Sequence, residues 1–450
     1  GDEPAAKAYY KEAVEHARRA EQNRSLYGEL ASTRRNARLI IEHQGGATEW
    51  LDELLKIPRV VVFAGHMVDQ PGRERPRLPS ELVPQVRAAI AARLDALAAG
   101  FGYASAASGS DILFLELLLE RGGEAHVILP FNKEQFMQTS VEVVPEGDWR
   151  ARCEHVLAEA TEVLVASEKQ MHAEGMSYEY TNLLLQGLAA IKAGQLETEL
   201  VALAVWDGRR GDGPGGTATA IEHWKDSKLR VELIELSSLV RQGRGAVETT
   251  APEKRAAARA QAQPTMQAPE FRPQLKAMLF ADAYHFSQLV ENQIPIFYQH
   301  FMGRIGDLIR RTEYAPVMKK TWGDGLYFVF NTVREAGLFA LELCAEINQT
   351  RWPDYGLPAD LNLRIGLHAG PIYSCLDPVT NQRTYIGSHV TRTARIEPVT
   401  PPGLVYTSQS FAALAAQQSI RDFICEYVGR TPLPKGFGTI PAYLLRRARA

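Results

Sequence analysis

Hydrophobic and polar positions divide the 450-residue chain into stretches with different periodicities. Residues 1–57 are rich in Ala, Glu, Arg and Leu, and their apolar side chains recur at helical spacing. Gly45-Gly46 ends one such helix before another over Thr48–Lys56. The pattern predicts a short N-terminal helical segment, which is either the end of a helical array or a collar that packs on the domain after it.

From residue 58 to residue 240, short apolar strands alternate with helices. Arg59–His66 is a continuous apolar run ending near a glycine, as in the first strand of a parallel sheet. The alternation predicts a doubly wound, Rossmann-like α/β domain, in which ligands bind beyond the carboxyl ends of the strands. Further strands are expected from Gly102 and at Ala125–Pro130, Glu162–Val165, Leu200–Val205 and Val231–Leu236, with helices at Leu82–Ala99, Ile112–Arg121, from about Trp149, and at Tyr180–Ala193.

Small and polar residues follow several of these predicted strands. Free backbone N–H groups at helix N-termini suit a phosphate, although the same residues can simply form tight turns. The order of elements resembles the Rossmann-like nucleotide-sensing domains of the SLOG superfamily, which implies a small nucleotide-like regulator. The candidate ligand contacts are Gly65, Ser108, Gly109, Ser110, Asp111, Asp207, Gly215, Gly216 and Thr217.

Residues 241–272 are poor in large apolar side chains and predict a linker, with a short exposed helix through Ala256–Gln263. A further domain is expected over residues 273–450. The chain begins at Gly1 rather than methionine, which predicts that it is a piece of a longer protein.

Composition narrows the function classes. A hydrophobic content of 45% and a charged content of 23% are ordinary for a soluble protein, and the net charge of −3 does not favour a nucleic-acid partner. The four cysteines are widely scattered, which predicts reduced thiols. Because no apolar run reaches the roughly 18 residues of a membrane helix, a cytoplasmic protein without a membrane contact is expected.

Two carboxylates stand out in the C-terminal part. A Gly-Asp-Gly turn before a strand-forming run predicts a β-hairpin with Asp324 at its tip. Asp282 interrupts an apolar strand, where an unpaired carboxylate would be costly, so a cation should meet it. If the two segments pair, the carboxylates converge and favour Mg²⁺.

Five motifs in order resemble the catalytic domain of the class III nucleotide cyclases, the adenylyl and guanylyl cyclases. This resemblance implies an α+β ferredoxin-like domain over residues 273–450. The motifs are Phe280-x-Asp282, Lys320–Asp324, Leu363–Pro371, Tyr385–Glu397 and Pro402–Ser408.

The resemblance also implies an activity and roles for residues. ATP would be converted to 3′,5′-cyclic AMP and pyrophosphate by a homodimer with shared sites, regulated by the α/β domain. Asp282 and Asp324 would bind two Mg²⁺ or Mn²⁺ ions per site, and Arg395 would stabilise charge on the α-phosphate. Lys320 and Thr384 would recognise adenine, because a lysine ammonium can donate to N1 of adenine. Lys435 would reach the triphosphate or be a surface lysine.

Two positions depart from the family pattern. His285 stands where a glycine is usual in the phosphate-binding loop, and Thr391 stands where an asparagine helps to position the ribose. Reduced turnover is therefore expected. One alternative function is a catalytically weak or inactive cyclase-like module for nucleotide sensing or dimerisation. Another places a nucleotide or nucleoside hydrolase activity in the α/β domain.

Overall fold

The structure is a computed structural model that describes residues 4, 6–12, 26–144, 147–168, 171, 175–210, 215–243 and 271–448. The helix predicted at 256–263 and most of the predicted linker lie outside these residues. Within the described ranges, no helix has the length and apolar character needed to cross a membrane.

The N-terminal helices pack on the α/β domain, which is one of the two arrangements considered above. They are a segment at 6–12, α1 (Leu26–His43) and α2 (Glu49–Leu54). Arg34 on α1 is buried and donates to the backbone carbonyls of Leu196 (3.1 Å) and Glu197 (2.6 Å). A guanidinium at the C-terminal end of a helix satisfies carbonyls that have no partner within that helix.

Six parallel strands form the sheet of the α/β domain, in the order β4-β3-β2-β1-β5-β6. Helices cover both faces, since Val60 and Val62 of β1 join one buried cluster while Val61 and Phe63 join the other. This agrees with the predicted doubly wound arrangement. The elements are β1 (Arg59–Gly65), α3 (Val83–Leu97), β2 (Ala99–Ala104), α4 (Ser110–Glu120), β3 (Glu124–Leu129), α5 (Lys133–Phe136), α6 (Trp149–Glu159), β4 (Glu162–Val165), α7 (Met176–Leu196), β5 (Leu200–Trp206), α8 (Thr217–Asp226), β6 (Arg230–Glu235) and α9 (Leu236–Gly243).

Several details of this domain differ from the prediction: β2 begins at Ala99, β6 ends at Glu235, and α7 extends beyond the predicted helix at both ends. Helix α3 ends at Leu97 rather than Ala99, because Ala98 adopts a left-handed conformation with φ of 49° and its N–H bonds back into the last turn. Helices α5, α8 and α9 were not predicted, although the buried Ala220, Ile221 and Trp224 of α8 recur at helical spacing.

The C-terminal domain is built on an eight-stranded sheet in the order β13-β14-β12-β10-β7-β9-β8, with β11 paired to β10. The long strands β7 and β10 run antiparallel at its centre. The elements are β7 (Arg272–Tyr284), α10 (Gln293–Ile296), α11 (Gly303–Arg311), β8 (Met318–Trp322), β9 (Gly325–Phe330), α12 (Val333–Gln349), β10 (Asn362–Leu376), β11 (Arg383–Ile386), α13 (Ser388–Ile396), β12 (Val405–Ser408), α14 (Gln409–Gln417), β13 (Phe423–Pro432) and β14 (Thr439–Arg447).

The two domains share a buried interface. Helix α7 lies against α14, and a methyl group built on Gly187 would come within 1.9 Å of the Ala413 carbonyl oxygen. Apolar residues from both sides, such as Leu184 and Phe411, belong to one continuous buried cluster. Close backbone approach and continuous burial make this contact a part of the fold rather than a loose tether.

Candidate active site

The predicted hairpin is present in the C-terminal domain. Strands β8 and β9 pair antiparallel, and Trp322 opposite Gly325 leaves Gly323 and Asp324 as a two-residue turn. Gly323 has φ of 62°, a conformation that glycine adopts without steric cost. The turn holds Asp324 at the tip.

Strand β7 brings Asp282 to the same place. It pairs antiparallel with β9, and Ala281 lies opposite Leu326. Burial and the neighbouring charge of Asp282 raise the pKa of Asp324 to about 6. Asp282 and Asp324 line one recess, so both carboxylates can contact the same ligand.

The cation expected beside Asp282 is Arg364. It lies opposite Asp282 in the β7–β10 register, and its Nη2 donates to Asp282 Oδ2 at 2.8 Å. Its Nε is also 2.8 Å from Glu397 Oε1, just beyond α13. Burial raises the pKa of Glu397 to about 7, with Asp282 and Asp324 adding to the rise. Sequence reasoning assigned no role to Arg364 or Glu397, although both lie within the quoted motifs.

His285 follows β7 in the loop beside these carboxylates. Its φ is 69°, so the backbone keeps the left-handed conformation in which a glycine would be unstrained. Its Nδ1 lies 2.7 Å from Asp360 Oδ2, and its ring stacks on Tyr284. The His285 backbone therefore has a conformation that glycine favours.

Helix α13 carries the other two predicted catalytic residues. Thr391 is exposed, whereas Arg395 is partly buried with its guanidinium 5.0 Å from the centre of the Phe437 ring. The Arg395 Nε is buried and has no hydrogen-bond partner among the described residues. When the face of a guanidinium stacks on an aromatic ring, the N–H groups at the edge of the guanidinium can still bind an anion.

The predicted base-recognising residues lie on neighbouring strands. Lys320 is on β8 with its ammonium 5.3 Å from the Trp322 ring, and Thr384 is on β11 opposite Cys375. Tyr327, the cross-strand partner of Lys320, donates from its hydroxyl to the Tyr385 carbonyl at 3.4 Å. The predicted triphosphate contact Lys435 is exposed in a turn after β13.

Residues 272–447 match the family model described as "Adenylate and Guanylate cyclase catalytic domain". This segment is a class III nucleotide cyclase domain. No curated protein matches the chain.

Solved structures similar to the chain include three cyclase domains. The guanylate cyclase domain of RhGC from Catenaria anguillulae, in complex with GTP, has 18% identity and a TM-score of 0.34, covering 40% of this chain and 100% of that one. The adenylyl cyclase CyaB from P. aeruginosa has 16% identity and a TM-score of 0.35, covering 40% and 97%. The guanylyl cyclase Cya2 has 18% identity and a TM-score of 0.34, covering 41% and 96%.

The candidate ligand residues of the α/β domain fall into two groups. Gly65, Asp111, Gly215, Gly216 and Thr217 line one cavity of about 400 Å³ at the carboxyl edge of the sheet. The others shape the loops around it: Ser108 and Ser110 are fully buried, Ser110 Oγ donates to the His66 carbonyl at 2.9 Å, Gly109 has φ of 98°, and Asp207 Oδ1 lies 3.1 Å from His66 Nε2. The resemblance of this domain to the SLOG superfamily stays a prediction.

A buried polar chain joins the α/β domain to the cyclase domain. Ser167 Oγ lies 2.9 Å from His389 Nε2, His389 Nδ1 lies 2.8 Å from His368 Nε2, and His368 Nδ1 lies 2.6 Å from Ser408 Oγ. Tyr180 on α7 donates to the Ala369 carbonyl at 2.9 Å. His389 is on the same helix as Thr391 and Arg395, so the α/β domain contacts the helix that carries them.

The two histidines of this hydrogen-bonded chain, His368 and His389, are both neutral. Burial and the nearby Arg392 lower the pKa of His389 to about 3, and burial, His389 and Arg392 lower the pKa of His368. A neutral imidazole has one donor and one acceptor nitrogen, so two such rings and two hydroxyls form a chain with a single direction. Sequence reasoning missed these hydrogen bonds, because the four residues lie in distant parts of the sequence, three on separate elements and Ser167 in a loop.

Proposed function

We propose that the chain is an adenylyl cyclase that converts ATP to 3′,5′-cyclic AMP and pyrophosphate at a homodimer interface and is regulated by its α/β domain. The observation that carries this proposal is the convergence of Asp282 and Asp324 within a cyclase catalytic domain. In the reaction the 3′-hydroxyl loses its proton and its oxygen bonds the α-phosphorus. The bond to the β-phosphate then breaks and pyrophosphate leaves.

The carboxylate pair fits divalent metal ions. Carboxylate oxygens are preferred ligands of Mg²⁺ and Mn²⁺, and Mg²⁺ commonly uses one or two carboxylates together with substrate phosphates. Two bound ions would lower the pKa of the attacking hydroxyl and neutralise the triphosphate.

Base selection is assigned to Lys320 and Thr384. The Lys320 ammonium would donate to N1 of adenine, whereas N1 of guanine is itself a donor. The Thr384 hydroxyl would accept from the exocyclic amine. The hydrogen bond from Tyr327 to the Tyr385 carbonyl supports this assignment, because it ties the strand next to Lys320 to the strand that carries Thr384.

Arg395 is assigned to the charge that builds on the α-phosphate. Its stacking on Phe437 restricts the guanidinium, and its Nε has no hydrogen-bond partner among the described residues. A donor held in place before the reaction stabilises developing charge with little reorganisation. Thr391, exposed on the same helix, is assigned to the ribose, and Lys435 to the triphosphate.

A second copy of the chain would complete each site. The recess beside Asp282 and Asp324 is lined by residues 282–287, Asp324 and Arg364, and its lining does not include Lys320, Thr384 or Arg395. Large apolar side chains are exposed on β8, on β11 and in the adjoining end and turn of β10: Trp322 by 51%, Ile386 by 43%, Leu376 by 57% and Val379 by 90%. Apolar exposure of this kind favours a protein partner.

The second candidate function is nucleotide binding without turnover. The ion pair between Arg364 and Asp282 favours it, because Asp282 already has a cation at 2.8 Å. The loop at His285 favours the active enzyme, since its backbone keeps the left-handed conformation.

Turnover separates the two functions. The purified chain is incubated with ATP or GTP and Mg²⁺ or Mn²⁺, and the products are separated by chromatography, with Asp282→Asn as the inactive control. We expect cyclic AMP, with kcat/KM for ATP at least about tenfold above that for GTP, or about 1.4 kcal/mol. A preference for GTP would reject the base assignment. Nucleotide binding without any cyclic product would favour the second function.

A further inference from the structure

The cavity at the carboxyl edge of the α/β sheet has the size and lining of a small-molecule site. Its volume of about 400 Å³ lies within the usual range for ligand pockets. One wall is apolar and aromatic, with Phe63, Met67, Phe136, Tyr178 and Leu185 among its residues. Such a wall suits a ring or another flat apolar group.

Arginines surround the mouth of this cavity. Arg73 and Arg77 line it and also line an adjoining recess of about 430 Å³, which is bounded by Arg73, Glu74, Arg75, Arg77, Arg209 and Arg210. The lining of this recess therefore contains five guanidinium groups and one carboxylate. A charged recess of this kind attracts anions, and guanidinium geometry matches phosphate.

Neighbouring carboxylates position these arginines. Asp69 lies 3.3 Å from Arg73, and Glu222 lies 3.1 Å from Arg210. Asp207 lies 3.5 Å from Arg209 and 4.0 Å from Arg77, and it also contacts His66. These carboxylates neutralise part of the positive charge and hold the guanidinium groups at the mouth of the cavity.

We propose that this combined cavity is an effector site for a phosphorylated small molecule. Its phosphate would lie among Arg73, Arg77 and the other arginines of the recess, and its ring would lie on the wall that contains Phe136 and Tyr178. Asp111, buried in the lining of the cavity, would accept from a hydroxyl or amine of the ligand. Because an apolar wall adjoins the charged mouth, a phosphate ester can contact both surfaces, whereas inorganic phosphate can contact only the mouth.

Helix α7 gives the site a route to the cyclase domain. Tyr178, Asn182 and Leu185 of this helix line the cavity, while Tyr180 bonds the Ala369 carbonyl and Gly187 lies against Ala413. A ligand that binds more tightly to one position of α7 than to another would favour that position. The cyclase domain, which packs on α7, would then change its conformational equilibrium as well. This relay rests on the proposed cyclase activity, whereas binding at the cavity does not.

Binding is tested by calorimetry on the full chain in the presence of EDTA, which suppresses metal-dependent nucleotide binding. The probes are AMP, ADP, ribose 5-phosphate, pyrophosphate and inorganic phosphate. The variants are Arg73→Gln/Arg77→Gln, the matched exposed control Arg150→Gln on α6, and the cyclase-site variant Lys320→Glu/Arg395→Ala. We expect a phosphate ester to bind more tightly than inorganic phosphate, with at least about tenfold weakening in the Arg73/Arg77 variant alone.

Three outcomes would overturn the proposal: no probe binds, binding survives in the Arg73/Arg77 variant, or binding is weakened as much in the cyclase-site variant as in the Arg73/Arg77 variant. Arg75→Gln replaces the double variant if the latter unfolds, because Arg75 is exposed and its loss should not affect folding. If AMP binds and ribose 5-phosphate does not, the apolar wall contacts the base. If ribose 5-phosphate binds and AMP does not, the apolar wall contacts the sugar.

Coupling from the cavity through α7 to the cyclase domain is tested separately, by the cyclase rate. The probe that binds most tightly should change the cyclase rate of the wild type and leave the rate of Arg73→Gln/Arg77→Gln at its basal value. An unchanged wild-type rate with binding intact would reject the relay and keep the site. Absence of any cyclase rate would instead reject the proposed function while the calorimetric result stands.

Discussion

Ser167 of the α/β domain and His389 of the cyclase domain lie 2.9 Å apart through Oγ and Nε2, and both are buried. His389 continues the hydrogen-bonded chain to His368, in the centre of the cyclase sheet. It also lies six residues before Arg395 on the same helix. The orientation of the helix that carries Arg395 is therefore set partly by a residue outside the cyclase domain.

Acidification should weaken the fold through these histidines. Because the pKa of His389 is lowered to about 3 and that of His368 is also lowered, both are neutral when folded and take up protons when unfolded below about pH 6.5. These two histidines therefore cost no free energy of unfolding above pH 6.5, and they lower it progressively as the pH falls below 6.5. Each histidine contributes a slope of about 1.4 kcal/mol per pH unit.

Urea unfolding of wild type and His389→Gln at pH 7.5, 6.5 and 5.5 measures this slope. The raised pKa values of Asp111 and Glu397, both about 7, act in the opposite direction but are common to both proteins. We expect the wild type to lose more stability on acidification than the variant. Parallel profiles would show that His389 does not titrate on unfolding.

The contact between α7 and α14 should be intolerant of a methyl group at Gly187. A Cβ there would lie 1.9 Å from the Ala413 carbonyl oxygen, so Gly187→Ala should cost about 1–3 kcal/mol of unfolding free energy. Gly194 on the same helix has no atom within 4 Å of such a Cβ, and Gly194→Ala should be neutral or stabilising by up to about 1 kcal/mol. Equal effects of the two substitutions in thermal unfolding would contradict the packing argument.

Lys320→Glu should reduce kcat/KM for ATP by about 1–3 kcal/mol, the cost of leaving buried polar groups of the base unpaired. The neighbouring Lys319 is exposed, and Lys319→Glu makes the same change of charge as a matched control. Initial rates with ATP and GTP compare the two variants. Undiminished cyclic AMP production in Lys320→Glu would remove Lys320 from base recognition.

Thr391→Asn should leave the fold intact and the activity equal or higher. Thr391 is exposed, so the substitution has room, and the amide adds a second hydrogen-bonding group for the ribose. The measurement is kcat and KM for ATP alongside the melting temperature. A severe loss of kcat at an unchanged melting temperature would mean that the ribose is positioned differently from the family pattern.

Two inactive variants should complement each other if the site is shared. Asp282→Ala and Arg395→Ala are prepared separately and mixed. In a mixed two-fold dimer one site receives both lesions and the other receives neither. With free exchange about half of the dimers are mixed, so activity should reach up to about one quarter of the wild type.

A pair of differently tagged proteins confirms subunit exchange in the same sample. A mixture no more active than its components, with exchange demonstrated, would show that Asp282 and Arg395 do not serve one shared site. The dimer could then persist, but each site would belong to a single chain.

Local patterns were sufficient to predict most of the strands and the hairpin. Glu162–Val165 was predicted with its observed bounds, and the turn at Gly323-Asp324 follows from glycine's access to positive φ. These features depend on residues close in the sequence, where side-chain periodicity and turn chemistry act directly. The expectation of a cation beside Asp282 was also correct, because an unpaired carboxylate in a strand is costly whatever surrounds it.

The sequence by itself determined the two kinds of sheet, the hairpin that presents Asp324 and the motifs that mark the cyclase domain. Only the tertiary structure decided that Arg364 is the cation beside Asp282, and that Ser167 meets His389, 222 positions further along the chain. The physical reason is that strand register and domain docking depend on shape and burial over the whole molecule. Periodicity shows which face of an element is buried, and not which distant element covers it.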